Sequence, residues 1–156
     1  MAPTEKPITA LRAEFLEELA IASRKLRTLF DARVRAKGLT LARARTLINL
    51  ARKDGMTQSE LAEILEVEGP TLVRLLDGLE AQGLTERRPV EGDRRAKQIA
   101  LTEAGRTLAV EVTRMADNLR EEVLAGVPEA DLLGATGILR AMTEKIAAAG
   151  CETDAA

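Results

Sequence analysis

Apolar residues between Ile8 and about Arg35 fall at Ile8, Leu11, Phe15, Leu19, Ala22, Leu26, Leu29 and Phe30, mostly three or four positions apart. That period predicts one long amphipathic helix, with Gly38 marking its end. A second stripe, Leu41, Ala44, Leu47, Ile48 and Ala51, starts behind Thr40 as N-cap and stops at Asp54-Gly55. Thr57-Gln58-Ser59-Glu60 is a capping box, in which the Thr57 hydroxyl accepts a first-turn N–H and Glu60 reaches back. The helix behind it is short, Ser59 to Leu65. Glu66 to Gly69 then lead to Pro70, whose fixed φ and missing N–H suit a first helical turn. The next helix points Leu72, Leu75, Leu76 and Leu79 inward. It stops at Gly83, with Leu84 as the apolar partner of a Schellman cap.

From Leu84 the pattern changes to extended chain as far as Pro89, which cannot continue a ladder. Val90 to Arg94 reads as a tip. Ala96 to Leu101 returns with Ile99 and Leu101 on one face. Thr102-Glu103 caps a long helix to about Leu124, Gly126 ends it, and Pro128 opens a last helix to about Ala149. No internal repeat or low-complexity linker interrupts the chain. The expectation is a mainly α chain in four parts: an N-terminal helix over 1–38, a lobe over 39–102, C-terminal helices over 103–150 and a tail over 151–156.

Composition changes this picture little. With 46% hydrophobic residues but only two Phe and no Trp or Tyr, the core is aliphatic. No window approaches the roughly 18 uninterrupted apolar residues of a membrane span. The start, Met1 to Lys6, has no apolar signal core, so a cytoplasmic chain without membrane contact is expected. The single Cys151 excludes an intramolecular disulfide. Nothing cationic lies near it in sequence to make a reactive thiolate, and an incidental thiol on the tail is the expectation.

Charge changes it more, because it comes in blocks. Residues 24–53 hold ten Lys or Arg against the single acid Asp31, a local +9. Residues 54–86 run to −7 with Arg74 their one cation, and residues 87–102 return to +3. A net charge of −2 therefore hides two basic surfaces that act locally on an anionic partner.

Two short helices joined by a tight turn make a helix-turn-helix, though the pair alone fits a generic helical hairpin equally well. The hairpin that follows alters the balance. Its turn region carries Arg94 and Arg95 where an ordinary turn would use Gly, Asn or Asp. A winged helix-turn-helix places such cations against DNA.

The stretch ILEVEGPTLVRLLDGLEAQGLTERRPVEGDRRAKQIALTEAG resembles the MarR family of transcriptional regulators, and is most similar to its SlyA branch. The likeness lies in a Pro-Thr-Leu-Val-Arg recognition helix, an Asp-Arg-Arg-Ala-Lys wing and a Leu-Thr-x-x-Gly helix start, and it covers residues 24–105. It implies a winged helix-turn-helix whose long terminal helices are dimerisation arms. It also implies a homodimer on double-stranded DNA. The sequence itself has no His, no reactive Cys environment, no Gly-rich phosphate loop and no metal-ligand cluster, so no catalysis, cofactor or metal is expected.

The residues agree with that implication. With the leucines inward, Gly69, Pro70, Thr71 and Arg74 line the outer N-terminal face, where free N–H groups meet phosphate and side chains meet base edges. A solvated Arg74 paired with Asp77 or Glu80 is the plainer alternative. Arg94 and Arg95 would enter a minor groove or grip phosphate, while Arg87, Arg88 and Lys97 line the hairpin as phosphate contacts. The family pattern implies that Asp93 orients one arginine or caps the turn. A merely solvated cluster is the other reading of these charges.

Relatives hold a ligand between the DNA-reading lobe and the dimerisation helices. This chain has no His, Trp or Tyr to hold it in the familiar way. Arg24, Arg27 and Arg43, with Ala44, Ile48 and Leu75 as apolar walls, would suit a small aromatic carboxylate or an aroyl-coenzyme A thioester. Phosphate contacts or internal salt bridges explain the same arginines equally well. Two rivals share the fold: a ligand-independent architectural regulator or anti-silencer, and a winged-helix module for protein–protein contact.

Overall fold

The structure, a computed structural model, describes residues 6–90 and 93–153; at Val90, 93–96 and 151–153 it describes the backbone alone. The chain runs α1 (Ile8–Arg35), α2 (Leu41–Arg52), β1 (Met56–Thr57), α3 (Gln58–Leu65), α4 (Gly69–Ala81), β2 (Thr85–Val90), β3 (Asp93–Leu101), α5 (Glu103–Val123) and α6 (Glu129–Thr153). This is the mainly α winged helix-turn-helix expected. The side chain of Cys151 lies outside the described residues.

Local chemistry sets the boundaries. The Thr40 hydroxyl accepts the Arg43 N–H at 3.3 Å and starts α2. In the box at Thr57 the hydroxyl accepts the Glu60 N–H at 3.2 Å, and the Glu60 carboxylate accepts the Thr57 N–H at 2.7 Å. The Schellman cap ending α4 is complete. Gly83 turns left-handed at φ +68°, its N–H donates to Glu80, and the Leu84 N–H donates to Leu79 at 3.0 Å.

Two features of the sheet depart from the expectation. Met56 and Thr57 form a short strand against Ile99 and Gln98, so the sheet is three-stranded in the order β1-β3-β2. Two residues between a turn and a capping box are too few to show a period. The tip is also shorter than Val90 to Arg94: Val90 pairs with Asp93, after an irregularity at Pro89/Val90. Pro89 is accommodated because β2 is an edge strand. Glu91 and Gly92 lie outside the described residues.

The chain forms two compact units, one ending at Leu119 and one beginning at Arg120. In the first, Leu47, Leu61, Leu72, Leu76, Ile99 and Val112 are almost fully buried in one aliphatic cluster. It joins the helix-turn-helix to β3 and to the first half of α5. In the second, the apolar side chains Leu133, Ile138 and Ile146 of α6 are exposed.

Candidate nucleic-acid interface

Helix α4 presents its surface according to the spacing of its leucines. Leu72, Leu76 and Leu79 are buried and Leu75 is half-buried against the core, so Gly69, Pro70, Thr71 and Arg74 face outward. The side chain of Glu68, at the N-cap, makes no capping hydrogen bond. First-turn N–H groups therefore remain for water or an anion, at the positive end of the helix dipole. Val73, also exposed, adds an apolar patch beside them that the stripe alone does not flag.

The turn before α4 is held from outside. Glu66 takes the left-handed conformation at φ +56°, unusual for a residue with a Cβ. Arg45 of α2 donates to the carbonyls of Ile64 at 3.2 Å and Leu65 at 3.4 Å, satisfying the end of α3. Sequence reasoning missed Arg45, because nothing in its spacing distinguishes it from neighbouring cations of the basic block.

The strand pairing separates two adjacent arginines. Arg87 stands opposite Ile99, on the face of the sheet that the buried Thr85 and Leu101 share; Arg88 stands opposite Gln98 on the other face. Arg87 donates to Asp77 at 2.5 Å and to Glu80, both on α4, and its side chain is 23% exposed. The hydrogen bond to Asp77, above all, raises its pKa further above the ordinary arginine value. Arg88 donates to Glu86 at 2.5 Å and pairs with Asp54 at 3.6 Å. Lys97 is exposed. Asp93, Arg94 and Arg95 belong to β3 by backbone, and their side chains lie outside the described residues.

The residues read as a ligand group do not form one open surface. Arg24 and Arg27 are exposed on α1. Arg43 is half-buried with its guanidinium over α4, where a Cβ on Gly78 would come within 2.9 Å of it. Ala44 (0% exposed) and Ile48 (7%) are closed inside the core. An open groove of about 370 Å³ lies instead between the end of α2 and α5, lined by Ala51, Val110, Thr113, Arg114 and Asp117.

Comparison with known proteins fits this geometry. A MarR family model matches residues 37–96, from the turn after α1 into the wing. A solved structure described as the transcriptional regulator PA3341 is 42% identical, with a TM-score of 0.80 over 85% of this chain and 97% of that one. The chain belongs to the MarR family. Among other members of similar fold, S. aureus MepR in a complex with DNA is 25% identical, with a TM-score of 0.73 over 85% of this chain and 97% of that one. The transcriptional regulator SlyA matches with a TM-score of 0.74 over 85% of this chain and 93% of that one, and at 23% identity shows the shared fold. Family and fold are those of transcriptional regulators that bind DNA. Among the described residues no helix is long and apolar enough to cross a membrane.

Proposed function

We propose that this MarR-family chain is a repressor that binds a pseudo-palindromic operator as a homodimer. One α4 enters the major groove in each half-site, and Arg74 reads a base edge there, bidentately to guanine. Gly69, Pro70 and Thr71 seat the helix N-terminus against phosphate. The hairpin, through Arg88, Arg94, Arg95 and Lys97 with Asp93 as orienting group, grips the flanking backbone or minor groove. One observation carries this reading: Arg74 stands exposed, one turn from an N-terminus that Glu68 leaves uncapped. Apolar side chains exposed on α1 (Ile8, Leu11, Leu16) and on α6 (Leu133, Ile146) support dimerisation by the terminal helices. Arg74→Ala tests the assignment. Discrimination at one position of each half-site should relax by about 1–3 kcal/mol with the fold intact. Unchanged affinity and selectivity would remove α4 from the reading.

Release by an anionic aromatic carboxylate or aroyl-coenzyme A, through Arg24, Arg27 and Arg43, extends the same proposal. A second reading, the ligand-independent regulator, is favoured by the burial of Ala44 and Ile48, two intended walls of that pocket. A ligand shifts an equilibrium only by its differential affinity for the two states. Titrating aromatic acids and their coenzyme A thioesters against a preformed protein–DNA complex separates the readings. Release that Arg24→Ala weakens supports the effector, and indifference to every anion supports its absence.

A further inference from the structure

The outward face of α4 places Arg74 three residues before Asp77 and six before Glu80. Opposite charges at a spacing of three pair readily on a helix surface. Left to itself, Asp77 would compete for the arginine that the recognition helix offers to DNA, while Glu80, six residues on, lies round the helix from it. Among the described residues Arg74 makes no ion pair, and Asp77 and Glu80 are both engaged by Arg87 of β2.

Arg87 is poorly placed to do anything else. It shares the face of the sheet that carries Ile99 and Leu101, it is mostly covered, and two carboxylates surround its guanidinium. A phosphate reaching it would meet both acids, and its withdrawal would leave both unneutralised beside the DNA. Its neighbour Arg88, on the opposite face, bears no relation to α4 of this kind.

We propose that Arg87 is a positioning residue that, braced by Glu80, holds Asp77 away from Arg74, and so keeps Arg74 free for a base edge. This rests on the reading of α4 as the recognition helix. The arrangement also explains how an acidic helix can read DNA at all: its two carboxylates are neutralised from behind.

The test uses the full chain and a duplex that the wild type enriches from a random pool, beside a scrambled duplex of equal length. The readouts are the ratio of the two affinities and the slope of affinity with salt. Arg87→Gln should lower the ratio about tenfold, comparable with losing one good base contact. The salt slope should stay within about half a unit, since no phosphate contact is removed. Asp77→Asn with Glu80→Gln should leave the ratio within about threefold of wild type, and adding both to Arg87→Gln should restore it. An ion pair that merely stabilises the fold would not give that rescue. Should Arg87→Gln not fold, Arg87→Lys keeps the charge but holds one carboxylate at a time; its ratio should fall below that of wild type and be restored by adding Asp77→Asn with Glu80→Gln, and an unchanged ratio would overturn the proposal.

A slope lower by about one unit in Arg87→Gln would make Arg87 a phosphate contact and overturn the proposal. So would an unchanged ratio, or a triple variant as poor as Arg87→Gln alone. If Arg74→Ala discriminates as well as wild type, α4 is not the reader and the role of Arg87 falls with it. That outcome is distinct from the others.

Discussion

A Cβ on Gly105 would lie 1.9 Å from the carbonyl oxygen of Leu84 and 2.9 Å from its carbon. Both are backbone atoms, and they cannot swing aside. The same carbonyl accepts the Thr102 N–H at 3.2 Å, and the Thr102 hydroxyl donates to Gly83 and accepts the Gly105 N–H at 3.0 Å. The Leu-Thr-Glu-Ala-Gly run is thus the joint that seats α5 on the end of α4. Gly105→Ala should destabilise the chain by about 1–3 kcal/mol, or more, because overpacking there must move the main chain. Urea denaturation checks this, and an unchanged midpoint would deny the contact. At this scale the sequence was readable where one side chain meets its own neighbourhood, as at Thr57, Thr102 and Gly83. It was not readable where meaning depends on register. Arg87 and Arg88 are adjacent letters, and only the pairing with Ile99 and Gln98 shows that they serve different faces.

Among the elements, α3 shows how a local signal becomes a measurable property. The Glu60 carboxylate is held down to about 2, first by its hydrogen bond to Lys53, then by the backbone N–H and the hydroxyl of Thr57. A carboxyl whose folded pKa is depressed stabilises the fold above its ordinary value of 4.5, and that contribution is lost as pH falls toward 2. The stability difference between wild type and Glu60→Gln should therefore be largest at neutral pH and shrink through that window. Denaturant midpoints at several pH values check it, and a difference independent of pH would mean that this network does not depress the pKa of Glu60. The box was legible because its partners lie three residues apart. The strand β1 was not, since its pairing partner Ile99 is distant in sequence. Arg45 escaped notice for the same reason: its acceptors are the carbonyls of Ile64 and Leu65.

For the molecule as a whole, the charge blocks are what make a chain of net −2 a credible DNA binder. Phosphate responds to local cations within a Debye length, about 8–10 Å, and not to the sum. The terminal helices carry the other global signal. Ile8 is 61% exposed on α1 and Leu133 67% exposed on α6, large apolar side chains that a second copy would cover. Removing residues 128 to 156 should abolish dimerisation and most affinity for DNA together, as sedimentation and a binding titration would show. A monomer that still bound a full operator tightly would refute the role of these helices. The stripe on α1 was plain from its spacing, and the family likeness was plain from the recognition helix and wing. The burial of Ala44 and Ile48 was not, because they sit on a stripe that a core uses as readily as a pocket. Sequence-specific binding by a symmetric pair of recognition helices underlies all of these expectations. Its most direct measurement is selection of duplexes from a random pool by the full-length chain, followed by sequencing. An inverted repeat with half-sites about one helical turn, 10 base pairs, apart is expected from the wild type, and the same repeat with one position of each half-site left degenerate from Arg74→Ala. A pool that stays random, or that yields a single unrepeated site, would contradict it.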